Sequence, residues 1–207
     1  MQASDWYSLF ADQLSHTDTI QWIVLITGVA EVLLARANHV SLYAAGLVSS
    51  LLSIYSLYSV QLYAECILGM YYVVMSIYGW WFWVRKKNRP AVKVTFTNRR
   101  EWLIAICIVA GGWAILYLSL ITYTSSNVPA WDSWVTATAW AGTWLLTRRK
   151  VENWVLLNVS NIFAIPLLMM KQLPLLAVLT LFLFVVACFG YFDWRTLAVK
   201  ARSSDDQ

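Results

Sequence analysis

The chain has 207 residues, of which 60% are hydrophobic and 13% charged, against the roughly 25% charged residues of a soluble domain. That balance excludes an ordinary soluble globular protein, and the 13 Trp and 11 Tyr suit amphipathic rings that settle at a membrane interface or line sites for flat ligands. The net charge of +4 does not signal nucleic acid, because Lys and Arg stand in short clusters between apolar runs, where they set topology.

Residues 1–19 are polar and mildly acidic and lack the basic start and apolar core of a cleavable signal. A short helix on the outer surface is expected there. Seven segments then meet the roughly 20 apolar residues, about 17 at the short end, that a span requires: 20–36, 40–58, 62–84, 102–123, 131–147, 153–170 and 174–193. The fifth carries Thr, Ser and Trp, which suit a helix lining a cavity better than one facing lipid. Loop charge checks the count. With the N-terminus outside, Arg36, the run from Arg85 to Arg100, Arg148, Arg149, Lys150, Arg195, Lys200 and Arg202 all fall inside, 14 of the 15 basic residues. Only Lys171 faces outward, where Asp5, Asp12, Asp18 and Asp132 also fall. The expected fold is all-α and integral to the membrane, with seven spans, N-out and C-in.

A weak internal repeat divides these spans. Leu33-Leu34-Ala35-Arg36 matches Leu145-Leu146-Thr147-Arg148 at an offset of 112, while Gln61-Leu62 matches Gln172-Leu173 and Gly79…Trp83 matches Gly190…Trp194 at 111, as one deletion would produce. Both units run from outside to inside, so they are parallel and an odd helix must connect them. The expected organisation is an outer segment 1–19, a three-helix repeat 20–86, a connector 87–130 holding the fourth helix, a second repeat 131–195 and a cytoplasmic tail 196–207. Parallel repeats about an axis along the membrane normal are a transporter arrangement, with substrate near the midplane between them.

Glu31 and Glu65 lie inside spans, where an ionisable group is costly enough to suggest function; the competing reading is a carboxylate hydrogen-bonded to a neighbouring helix. On the sixth span Trp154, Asn158 and Asn161 share a face at i, i+4 and i+7. They offer a stacking ring and two amides, or else polar glue between helices. Trp140 and Trp144 on the fifth span, and Tyr71, Tyr72, Ser76 and Tyr78 on the third, are candidates for an aromatic wall and equally for packing. Cys66, Cys107 and Cys188 stand far apart and read as small hydrophobes. The sequence holds no nucleotide loop, HExxH or GxSxG, and no metal or cofactor set. Residues 174–193 hold no lysine for a retinal Schiff base. An enzyme is not expected.

Three motifs carry a resemblance: the run Tyr78-Gly79-Trp80-Trp81-Phe82-Trp83 before basic residues, the Glu152-Asn153-Trp154 entry to the sixth span, and Gly190-Tyr191-Phe192-Asp193-Trp194-Arg195. Over residues 25–196 the chain resembles the Pnu (PnuC-like) family of bacterial vitamin transporters. The resemblance implies a full-length SWEET-like 3+1+3 fold, a homotrimer in the bacterial inner membrane, and facilitated diffusion of a vitamin that is then trapped by intracellular phosphorylation. Trp154 matches the first tryptophan of the WxxW motif of nicotinamide riboside transporters, but Leu157 stands at the second. That departure favours the thiamin-transporting PnuT branch, with nicotinamide riboside, a flavin or a deoxynucleoside as alternatives. A membrane receptor that transports nothing is the reading from another class.

Overall fold

The structure, a computed structural model, describes residues 3–59, 63–84, 93–124 and 127–205. It holds eight helices among these residues: α1 (Ala3–His16), α2 (Thr19–Arg36), α3 (Leu42–Ser59), α4 (Tyr63–Val84), α5 (Arg99–Tyr123), α6 (Pro129–Thr147), α7 (Asn153–Met170) and α8 (Pro174–Asp205). Helices α2 to α8 coincide with the seven apolar segments, and α1 is the short helix expected before them. Arg85, Lys86, Lys87, Arg89, Gln61, Leu62 and the side chain of Glu65 lie outside what is described. Five helices, α2, α3, α5, α7 and α8, are long and apolar enough by composition to cross a membrane. The other two long helices are α4, part of whose side chains lie outside what is described, and α6, whose Thr, Trp and Asp132 lower its mean hydropathy. They are also partners, packing against each other.

Local chemistry sets the helix ends. Asp18 opens α2 and Asn98 opens α5, each with a reciprocal capping box to Gln21 and Glu101, which satisfies two orphan N–H groups apiece. α2 and α6 close through left-handed residues, Asn38 at φ 54° and Arg149 at φ 55°. The following N–H reaches back from His39 to the Leu34 carbonyl at 2.9 Å and from Lys150 to the Leu145 carbonyl at 3.0 Å, the Schellman pattern. These matched bonds stand 111 residues apart, as do the ends of α2 and α6, both ends of α3 and α7, and the starts of α4 and α8. The offset of 112 read from Leu33–Arg36 is therefore corrected to 111 throughout, and no deletion separates the halves. Beyond the last apolar segment α8 runs on to Asp205, with Ala198 buried in the core.

The main contacts join α2 to α3, α3 to α4, α4 to α6, α6 to α7, α7 to α8 and α8 back to α2, with α5 packed on the outside of α6. Six helices thus form a ring. Its basic end is closed by two equivalent contacts. Trp83 of α4 donates its indole N–H to the Thr147 carbonyl at the end of α6 (3.1 Å), and Trp194 of α8 donates to the Ala35 and Arg36 carbonyls at the end of α2 (3.1 and 3.2 Å). Each tryptophan meets a second ring edge to face, Tyr43 at 5.1 Å and Trp154 at 5.7 Å. Those two rings in turn lie against Gly79 and Gly190. The connector is strapped to the same end: Thr95 and the 149–151 backbone exchange two hydrogen bonds of 3.1 Å, Lys150 pairs with Glu101 at 2.9 Å, and Glu152 accepts from the Thr97 N–H at 2.8 Å.

A Cβ on Gly190 would come within 2.7 Å of the Trp154 ring, and one on Gly79 within 2.1 Å of Tyr43, whereas a Cβ on Gly111 meets nothing within 4 Å. Thermal unfolding in detergent is expected to show Gly190→Ala and Gly79→Ala destabilised by about 1–3 kcal/mol through overpacking. Gly111→Ala should lose nothing, since Ala is the better helix former.

Candidate functional site

Glu31 lies midway along α2, and its carboxylate rests on the backbone of Gly46 in α3, where a Cβ would stand 2.5 Å from Oε1. Gly46 is buried, so the absence of a side chain there is what admits the carboxylate. Tyr43 of α3 and Tyr72 of α4 are close enough to feel its charge. The carboxylate therefore sits in the seam between α2 and α3, on the side of Tyr43 and Tyr72.

Next to Tyr72, Tyr71 stands edge to face at 5.7 Å, and it stacks on Trp140 of α6 at 4.6 Å with planes 24° apart. The Tyr71 hydroxyl donates to the Trp140 carbonyl at 2.7 Å, tying α4 to α6. The Trp140 indole N–H is buried without a hydrogen-bond partner among the described residues. Ser76 is buried one turn beyond Tyr72.

On α7 the three polar candidates part ways. Trp154 is fully buried in the core at the basic end, flat on Gly190 and against Trp194; it builds the wall and closure of the ring rather than an open face. Asn158 donates its amide to Cys188 Sγ at 3.4 Å, while its Oδ1 is buried and unpartnered among the described residues. Asn161 is half-buried one turn further. The 111 offset fixes the depth of these groups. Asn158 corresponds to Leu47, next to the Gly46 that carries Glu31, so the amide and the carboxylate stand level on opposite halves.

Trp144 does not join them. It packs toward α5 with Ala105, Ala141 and Leu145, under the Arg148 guanidinium at 5.6 Å. Tyr78 stays with Trp81 and Phe82. Residues the sequence reading passed over are Tyr43 and Gly46; Asn153, named there only as part of a motif, is a fully buried amide that donates to the Lys150 carbonyl at 2.6 Å. Cys188, read as a plain hydrophobe, is an acceptor. At the basic end the Arg149 guanidinium lies 3.6 Å over the Trp83 ring, and burial draws its pKa below the usual value. Among the described residues no three His, Cys, Asp or Glu side chains gather as a metal site.

Helices of membrane length closed into a ring define a multi-pass membrane protein. The profile of the nicotinamide mononucleotide transporter family matches residues 18–196, and the chain belongs to that family. It is 23% identical over 205 residues to the nicotinamide riboside transporter PnuC of Escherichia coli, covering 84% of this chain and 85% of the relative. It is 25% identical over 192 residues to that of Neisseria mucosa, covering 86% and 72%. A crystal structure of the vitamin B3 transporter PnuC superposes with a TM-score of 0.71 at 24% identity, over 94% of this chain and 88% of that one. The chain is thus a multi-pass membrane transporter of the PnuC type.

Tyr71→Phe keeps the stack on Trp140 and loses the hydroxyl bond. Its cost in thermal unfolding should be about 1 kcal/mol, with Tyr71→Ala costing a further increment of that order or more from the lost ring.

Proposed function

We propose that this protein carries out facilitated diffusion of a small cationic heteroaromatic vitamin across the bacterial inner membrane, N-terminus outside, with trapping by intracellular phosphorylation. The observation that carries the reading is Glu31, seated on Gly46 level with the unpartnered Oδ1 of Asn158, with the Tyr71–Trp140 stack joining α4 to α6. A carboxylate and aromatic faces together favour a flat cation, and the free Asn158 oxygen suits a hydroxyl or amino group of the ligand. Two parallel three-helix halves joined by α5 in a SWEET-like 3+1+3 order are supported by the 111 offset and by the matched Trp83 and Trp194 contacts. The described basic residues gather where α2, α4 and α6 end, which supports the orientation. A homotrimer belongs to the same reading.

Nicotinamide riboside is the better-supported substrate, since the curated relatives carry that name. Thiamin was favoured because Leu157 stands where the motif has its second tryptophan, but that smaller residue does not open space. Its side chain lies on Gly142 of α6, within 2.9 Å of where a Cβ would stand, and so fills the α6–α7 seam rather than widening the ring. Thiamin remains the second ligand to test.

Calorimetry on purified protein, followed by uptake into liposomes, checks this. Nicotinamide riboside should bind and enter without an ion gradient or ATP. Binding without flux would point to a receptor, and no flux with nicotinamide riboside, thiamin or riboflavin would sink the proposal. Glu31→Gln keeps the shape and removes the charge, and should weaken binding about tenfold, ~1.4 kcal/mol. Asn158→Leu should also weaken it, while Trp144→Phe should not.

A further inference from the structure

At the end opposite the tryptophan contacts, a cavity of 550 Å³ opens between α1, α2, α3 and α8. Gln21, Ser53 and Ser56 give it polar groups, and Leu57, Leu173 and Leu176 an apolar wall. Helix register connects it to the site. Val24 in its lining is seven residues from Glu31, and Ser53 is seven from Gly46, so each pair shares a helix face about two turns, ~10 Å, apart. Between them Ser49 donates to the Val24 carbonyl at 3.2 Å, holding the two walls together.

Helix α1 forms the remaining side, through Gln13 and His16. It is not merely lying on the surface. The Gln13 amide donates to the Gln172 carbonyl at 2.7 Å, and its oxygen accepts from the Leu175 N–H at 3.2 Å. One side chain therefore fixes α1 to the turn between α7 and α8, and the Asp18 capping box sets the corner into α2.

We infer that this cavity is an outer vestibule, a first binding site in line with Glu31, which takes a small solute with hydroxyls on one side and an apolar ring on the other, and that α1 is its wall. The inference rests on the orientation proposed above. A solute held here stands about two helical turns from the carboxylate along the α2–α3 face.

The test places single thiols by Ser53→Cys and Ser56→Cys and exposes right-side-out vesicles to a membrane-impermeant cationic thiol reagent. Modification is read by mass on the peptide that holds the residue, so native cysteines can stay. The thiols should be modified from outside, and nicotinamide riboside at about ten times its Kd should slow the reaction about tenfold by mass action. Should nicotinamide riboside not bind the native protein, thiamin replaces it in the same assay. Should a variant fail to fold, Leu176→Cys reports from the opposite wall. Modification only from inside, or from outside at a rate that neither ligand changes, overturns the inference. Protection without flux would count against transport and leave the vestibule standing.

Discussion

Trp83 and Trp194 each donate an indole N–H to the last carbonyl of a helix in the opposite half. A helix end leaves carbonyls without intrahelical partners, and near hydrocarbon such groups must be satisfied by protein. The Schellman turns at Asn38 and Arg149 occupy earlier carbonyls, and the tryptophans take those of Arg36 and Thr147. Because each half completes the other's helix, neither closes alone. The edge-to-face partners Tyr43 and Trp154, and the glycines they lie on, follow from that demand. A large ring can reach across two helices only where the third offers bare backbone.

The same device positions the site. Fixing the ends of α2 and α6 to α4 and α8 makes a ring rather than a layer, which sets Glu31 on Gly46, Tyr71 on Trp140 and Asn158 on Cys188 at the seams between its helices. The strap at 94–98 ties the connector to the second half through Glu152 and Lys150. Hence α5 is held to α6 and α7 rather than to the first three-helix unit.

Much of the fold was legible in the sequence, because hydropathy and loop charge are set by the bilayer rather than by packing. The seven apolar segments fall on seven helices, and Gly79…Trp83 with Gly190…Trp194 marked the repeat. The error of one residue at Leu33–Arg36 has a plain cause: leucines recur in any apolar helix, whereas the left-handed turn that fixes register is carried by unlike residues, Asn38 and Arg149. Hydropathy does not mark the helix beyond residue 193, because its support is one buried face at Trp194 and Ala198, too narrow to lift the mean. Within the site, Glu31 was visible as a buried charge. For Trp154 and Trp144 the spacing gives a common face but not what that face meets, which is Gly190 and Trp194 for the one and α5 for the other.

The halves match in backbone but not in chemistry, and this difference gives the ring a direction. Glu31 corresponds to Gly142, and Gly46 to Leu157, so at one level the first half sets a carboxylate on a bare helix and the second sets a leucine on one. Each half keeps a side chain on one helix and a glycine on its neighbour, which preserves the close approach. However, the side chain comes from α2 in one half and from α7 in the other. The charge thus stands on one side of the ring and Asn158 on the other. The constraint that builds the ring fixes where the backbones touch, and the free choice of which contact carries the side chain leaves room for specificity.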